Sequence, residues 1–527
     1  MIGQGHRMRA GSLNASPWLG LAALGFVACG ADAGSADPEE GFVATTDPSL
    51  FTAEQGCDSN RLAVAYRATA DGSKALDKLP AAARNPVPCL SLTGAGANEP
   101  ALGIARNGTV YFSPATTADG NGLLSSSDLG VTWKLIVPPI PGRSGHPRLQ
   151  PFFYLDPATD RLFYASSKLV LNGLGTFKDE PGIHLNMSSD GGATWKYQSI
   201  AETCRDWEKI FAGPPVTSDT GAYPHVTYVS VPSPIAGNWA GIYPAPDYQH
   251  IFKSLDGGET YTEVSRIVID PLKVAGCIAG DFIMMGQGSV GPDGTVYLAY
   301  RMCQQLAVNV SHDEGATWET RIVPDAKLHP YPTGSLDGIL SIIGGENAIN
   351  GEPITADKEG NLYAVWADAK NELYYASSKN QGLTWTKPVW AMAPGVQNVR
   401  MAAITAREPG EVAISYFGTT DGTKYDGYIA ESKTGLDDEP TFWTVTVNDP
   451  ADPLYPDTWQ SGYEAIYFNN GGDEVTLIQI KYAPSGDLWA SFVKDMCPKG
   501  DLNKCTWDYE AEDNSRFQGA VGRLVHR

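Results

Sequence analysis

Eight cysteines, eight histidines and 60 acidic residues are the side chains of this 527-residue chain most able to do chemistry, and their spacing excludes several kinds of it. No Cys-x-x-Cys or His-Glu-x-x-His spacing occurs and the histidines lie far apart, so a zinc centre has no ligand set. Gln287-Gly288-Ser289-Val290-Gly291 lacks the first glycine of a nucleophile elbow, which leaves serine-hydrolase chemistry without support. Asp501-Leu502-Asn503-Lys504-Cys505 departs from a calcium loop at its fifth and sixth positions, and no phosphate-binding loop occurs. No metal and no cofactor are expected. The carboxylates remain: hydrolysis of a glycoside takes two, about 5 Å apart in a retaining enzyme. Whether any two meet depends on the elements that carry them.

Composition narrows those elements. Charged residues are only 19%, while Gly (57), Pro (37), Tyr (24) and Trp (13) are plentiful, which fits a turn-rich, aromatic-rich β protein and excludes disorder and coiled coil. The net charge is −22 with no basic cluster, so nucleic-acid binding is excluded. The first residues carry Arg7 and Arg9, no acid, and an apolar run from Trp18 to Ala28, the pattern of a signal peptide over 1–28. Phe26-Val27-Ala28-Cys29 resembles a bacterial lipobox, which implies acylation at Cys29 and a cell-envelope lipoprotein; the alternative is a secreted soluble protein, cleaved after Ala28 or between Ala31 and Ala36. No other run approaches the ~20 apolar residues of a membrane helix, so the only expected membrane contact is the lipid anchor. Residues 29–52 lack periodicity and suit a flexible tether.

One motif, Ser-x-Asp-x-Gly-x-Thr-Trp, recurs at Ser126–Trp133, Ser188–Trp195, Ser254–Tyr261, Ser311–Trp318 and Ser378–Trp385, with Asn380 replacing the aspartate in the fifth copy and a decayed sixth between Ser432 and Trp443. Asp and Ser cap the backbone of a tight turn, Gly supplies a positive φ, and the closing aromatic buries its ring. Seven further hairpins have turns near Asn107-Gly108, 158–160, Thr220-Gly221, Asp293-Gly294, Glu359-Gly360, Pro409-Gly410 and Ser485-Gly486. The expected fold is therefore all-β: a β-propeller of four-stranded blades, seven favoured and six the alternative, with the Asp-bearing hairpin joining third and fourth strands. The expected boundaries are an N-terminal segment over 53–94, packing on or closing the propeller, and the propeller itself over 95–527. Residues 61–69 are expected to close the C-terminal blade, and 73–85 to form a short helix.

On these repeats the chain resembles the Asp-box (BNR) proteins, which include sialidases and many non-catalytic propellers; the resemblance spans residues 95 to 450. It implies that the repeat aspartates are structural and peripheral. It also implies a ligand face where first strands begin and second strands end. Glu99, His146, Arg148, Asp206, Glu208, Asp281, Glu346, Glu352 and Arg400 stand at or before first strands, and Arg301 and Asp368 at the ends of second strands. By resemblance to sialidases, Arg148, Arg301 and Arg400 would clamp a carboxylate, Tyr463 beside Glu464 would be the activated nucleophile, and Asp206 the acid/base. The Phe-Arg-Ile-Pro arginine motif of that family is absent, and no glutamate precedes Arg301 at the usual short interval. A binding propeller for a glycan or a cell-surface protein is therefore favoured, with a sialidase-like glycoside hydrolase as the alternative. In an exported chain, Cys497 with Cys505 and Cys57 with Cys89 are expected disulfides, and Cys277 would bridge to Cys303, with Cys204 competing for either.

Overall fold

The structure, a computed structural model, describes residues 43–45, 56–83, 85–97, 99–114, 122–139, 149–167, 183–200, 208–232, 247–269, 286–302, 305–328, 353–368, 370–456, 478–496 and 517–526. Its strands form seven antiparallel sheets, the blades, each running first to fourth strand in order. The first strands are Ala101–Ile104, Leu149–Asp156, Lys209–Gly213, Ser289–Val290, Ile354–Ala356, Asn398–Ala406 and Ile480–Tyr482, for blades 1 to 7. Each touches the next, and that of blade 7 touches that of blade 1. The ring therefore closes with seven blades.

Apolar patterning explains why the strands take these places. Second strands such as Leu362–Ala367 and Val412–Thr419 are buried along their whole length, because neighbouring blades cover both faces. A fourth strand such as Glu319–Lys327 buries only Val323 and Ala326. The seven turn signals all lie between first and second strands, and the eight-residue repeats all lie between third and fourth.

Closure differs from the sequence expectation. In blade 7 the strands Ile480–Tyr482, Leu488–Asp495 and Phe517–His526 are completed by Pro86–Gly96, with Leu90 opposite Gly522 and Val87 opposite Val525. The strand expected to close it, here Val64–Thr69, instead pairs with Thr441–Thr446 and extends blade 6. Pro86–Gly96 wins the slot because it is longer, is buried at Val87, Cys89 and Leu92, and is tied by the Cys57–Cys89 disulfide. Because its outer strand comes from far upstream, blade 7 has no hairpin between third and fourth strands in which a repeat could sit. The expected helix over 73–85 is also absent: Gly72–Ala75 is a strand paired with Val64–Thr69, and only Ala81–Ala83 make a 3-10 turn, between Pro80 and Pro86. Val43–Thr45, within the expected tether, pairs with Thr132–Lys134 of blade 1.

The repeats share one hydrogen-bond pattern. In the second copy the Ser188 hydroxyl donates to Asp190 at 2.8 Å and accepts from the Gly192 N–H at 2.9 Å, while Asp190 accepts from the Thr194 N–H at 2.8 Å and from its hydroxyl at 2.5 Å. Gly192 sits at φ 91° and the preceding Gly191 at 73°. The Trp195 indole donates to the Gly192 carbonyl at 3.0 Å, and its ring is half-buried; Trp133 and Trp443 are the fully buried members. Asn380 reproduces the pattern with one donor reversed, its amide N–H going to the Thr384 hydroxyl at 2.9 Å. Asp190→Asn is thus expected to leave stability nearly unchanged, whereas Asp190→Ala orphans the Thr194 N–H. Hydrogen exchange should show that amide opening at least about tenfold faster in the alanine variant only.

The repeats also latch blades together. Arg161 of blade 2 lies over the Tyr223 ring of blade 3 and donates to the Gly257 carbonyl at 2.7 Å; Arg321 of blade 4 donates to the Gln381 carbonyl of blade 5 at 2.5 Å. Glu314, inside the blade 4 repeat, reaches back to blade 3. One carboxylate oxygen accepts from the N–H groups of Val216, Thr217 and Ser218 at 2.9, 3.0 and 3.0 Å; the other pairs with Lys253 at 3.0 Å and the Ser218 hydroxyl.

Candidate functional site

Antiparallel pairing puts the start of each first strand beside the end of the second, so both lie on one face of the ring. Arg400 stands near the start of Asn398–Ala406, opposite Phe417, and Arg301 near the end of Val296–Met302, opposite Leu306. Both therefore belong to the expected ligand face, on blades 6 and 4. Arg148, Asp206, Tyr463, Glu464 and Cys29 lie outside the described residues, as do Cys204, Cys277, Cys303, Cys497 and Cys505. The Cys57–Cys89 disulfide is formed as expected.

The backbone around Arg400 is irregular. Pairing with the second strand shifts register between Arg400 and Ala402, and Met401 takes φ 44°, in the left-handed region that a branched or long side chain rarely adopts. A bulge of this kind bends the strand and re-aims its side chains. Arg400 itself is half-buried.

Of the other acids expected on this face, Asp281, Glu346 and Glu352 lie outside the described residues, while Asp368 is engaged and Glu208 enclosed. Asp368 caps its own turn, accepting from the N–H groups of Lys370 at 2.8 Å and Glu372 at 3.0 Å. Glu208 is buried beside Lys209, whose ammonium lies 4.8 Å from the Phe152 ring centre. Nearby, the Tyr374 phenol donates to Glu372 at 3.1 Å. Burial first, then the Asp368 charge and the Glu372 hydrogen bond and charge, push that phenol up to about 12, which keeps it protonated and a poor nucleophile at neutral pH.

The hairpin side of the ring holds other titratable groups. Asp156 is fully buried and binds His225 at 2.9 Å and the Tyr223 hydroxyl. Burial pushes its carboxyl up, but the hydrogen bonds and charge of His225 and the Tyr223 bond outweigh that and hold it below the usual carboxylate range. At the seam of blades 6 and 7, Glu431 meets His526 at 2.6 Å and Lys433 at 2.9 Å, and Arg407 lies over the Tyr482 ring. Both clusters hold hairpins and blades together. Among the described residues, no group of three or more His, Cys, Asp and Glu is placed to hold a metal, and no helix is long and apolar enough to cross a membrane.

Sequence reasoning missed the channel interior. A cavity of about 180 Å³ lies between the first strands, lined by residues that include Tyr154, Phe211, Gln287, Ser289, Thr405 and Lys481. Gln287-Gly288-Ser289, read in the sequence only as a failed nucleophile elbow, forms part of its wall. A Cβ on Gly288 would stand 2.5 Å from the Phe211 ring, and one on Gly213 would stand 2.4 Å from Val290, so the first strands of blades 3 and 4 interlock through two glycines. The signal available in the sequence was the glycine beside polar residues at the start of a strand.

No known protein family and no curated protein matches the chain. Similar solved structures include a protein of unknown function from Dyadobacter fermentans, at 12% identity and TM-score 0.39 over 68% of this chain and 98% of that one. They include the NanB sialidase of Streptococcus pneumoniae, at 10% identity and TM-score 0.40 over 90% of this chain and 93% of that one. They also include a mutant of the Aleuria aurantia lectin, at 11% identity and TM-score 0.35 over 63% of this chain and 91% of that one.

Proposed function

We propose that this chain is an exported Asp-box propeller of sialidase-like type, anchored to the cell envelope through an acylated Cys29, that binds a glycan or a surface protein on the face where first strands begin. The observation that carries the reading is the bulge at Arg400 and Met401. Left-handed backbone at a non-glycine residue costs about 1–3 kcal/mol and concentrates where a side chain must be aimed for function; here it sits beside an arginine at the channel mouth. A guanidinium so placed suits a carboxylate-bearing ligand.

A second reading, glycoside hydrolysis of sialidase type, draws on the placement of Arg301 on the same face as Arg400. In it Arg148, Arg301 and Arg400 hold the substrate carboxylate, Tyr463 with Glu464 supplies the nucleophile, and Asp206 the acid/base.

One experiment separates them. Residues 30–527 are assayed on a fluorogenic sialoside and a panel of aryl glycosides, then on a glycan array, beside Arg400→Ala. The binding reading expects no turnover and glycan or protein binding weakened about tenfold or more by the substitution. Sialoside turnover that Arg400→Ala abolishes would establish the second reading instead. Binding that Arg400→Ala leaves unchanged would remove Arg400 from the site.

A further inference from the structure

Blade 7 carries a row of side chains across one face. Arg523, on its third strand, stands opposite Trp489 of the second strand and opposite Cys89 of Pro86–Gly96, and Cys89 in turn faces Cys57. Cross-strand partners point to the same side of a sheet, so these side chains line up. The Arg523 guanidinium lies 5.1 Å from the Trp489 ring centre, and one of its amino groups donates to both sulfurs of the Cys57–Cys89 disulfide at 3.5 Å. Arg523, Cys57 and Cys89 are all buried, with Val87 and the partly buried Val525 packed against the sulfurs.

A disulfide gains little from a neighbouring cation, because its sulfurs are neutral and weak acceptors. A thiolate gains far more, since opposite charges attract more strongly in apolar surroundings than in water. Arg523 therefore favours the reduced pair over the oxidised one. A stabilised thiolate is also the better leaving group in thiol–disulfide exchange. The charges that flank the row are paired elsewhere: Asp58 with Arg61 at 3.3 Å, and His526 with Glu431 at 2.6 Å.

The position of Cys57 gives a reductant its way in. It lies on residues 56–58, which meet Pro86–Gly96 through one isolated bridge. Among the described residues the backbone bonds that hold this segment to the strand run from the Asp58 N–H to the Pro88 carbonyl at 2.9 Å and from the Leu90 N–H to the Gly56 carbonyl at 3.1 Å. A short edge segment held in this way opens locally without unfolding the sheet beneath it. Pro86–Gly96 keeps its own ladder to Phe517–His526.

We propose that Cys57 and Cys89 are a redox-active pair that exchanges with a dithiol reductant, Arg523 holding the thiolate that exchange releases. A reductant thiolate attacks the Cys57 sulfur and forms a mixed disulfide, and the bond between the two cysteine sulfurs breaks with its electron pair going to Cys89, beside Arg523. The second reductant thiol gives up its proton, attacks the first reductant sulfur and closes a cyclic disulfide. The expelled Cys57 takes a proton and becomes a thiol. Two electrons pass from reductant to protein, and residues 56–58 are uncoupled from the strand that closes the ring.

The test equilibrates the full chain and Arg523→Gln in mixtures of reduced and oxidised dithiothreitol at pH 8, then alkylates the free thiols. Mass spectrometry of the peptides that carry Cys57 and Cys89 keeps the other cysteines out of the measurement. Wild type is expected to be half-reduced at a ratio of reduced to oxidised dithiothreitol about tenfold lower than Arg523→Gln. A second readout needs no variant. Alkylation of an ordinary thiol by iodoacetamide speeds up more than about tenfold from pH 7 to pH 9, whereas in reduced wild type one of the two peptides is expected to gain less than about threefold. Equal midpoints for the two proteins would overturn the proposal, as would the ordinary rise at both peptides. A pair that stays oxidised in every mixture would overturn it too. If Arg523→Gln fails to fold, the alkylation rates of wild type decide.

Discussion

Glu314→Ala is expected to destabilise the chain by about 3 kcal/mol, the scale for removing one partner of a buried charge network. The carboxylate is only 2% exposed and joins blade 4 to blade 3 through three consecutive N–H groups, a hydroxyl and Lys253. Removing it leaves Lys253 without its counter-charge and three donors without an acceptor. The pH dependence has a definite sign. Burial works to raise the carboxyl, but the Ser218 hydroxyl, the N–H groups of Ser218 and Thr217, and Lys253 bring it down from 4.5 to about 2. Between those values the unfolded chain binds the proton and the folded chain does not. The contribution is therefore complete above about pH 4.5, falls as pH drops through the window, and is gone below about pH 2. Denaturant unfolding of wild type and Glu314→Gln at pH 7 and pH 3 checks it: the gap between the two proteins should shrink at pH 3. A gap that stays constant would show that the carboxylate does not titrate with folding.

A chain beginning at Ala97 is expected to lose the cooperative unfolding of the ring. It lacks Pro86–Gly96, the outer strand of blade 7, with the buried Val87, Cys89 and Leu92 and the disulfide to Cys57. Burial of two aliphatic side chains is worth about 1.5–3 kcal/mol each, and the long ladder to Phe517–His526 is lost with them. Together these reach the lower end of the whole stability of an ordinary domain, about 5–15 kcal/mol. Ser91 also packs under the first repeat, its hydroxyl 2.8 Å from where a Cβ on Gly130 would stand, so blade 1 loses a support as well. Thermal unfolding and limited proteolysis test this. The truncated chain should melt broadly and be cut within blades 7 and 1, and adding the peptide of residues 85–96 should restore protection. A sharp, unshifted transition would mean that the ring closes without the strand.

The face where first strands begin was legible only in part. Alternation and turn signals placed Arg301 and Arg400 correctly at the ends of their strands, because strand direction follows from the order of hairpins. The same reasoning could not reveal that Arg400 sits on a bulge: the register shift is set by pairing with Tyr416 and Phe417, not by its own neighbours. The place of Gln287 in the channel wall was hidden for a related reason: its amide donates to the Ile210 carbonyl, 77 residues away in the chain.

By itself the sequence determined what is local: the hairpins, the eight-residue repeats and the four-strand rhythm. Their hydrogen bonds join residues two to four positions apart, as from Ser188 to Asp190 and Gly192, so residue type and spacing suffice. The tertiary structure decided which N-terminal strand closes the ring, where Glu314 reaches, and what faces the channel. Those outcomes turn on competition between segments far apart in the chain. Val64–Thr69 and Pro86–Gly96 are both apolar enough to be strands, and only the packing of blades 6 and 7 assigns each its edge.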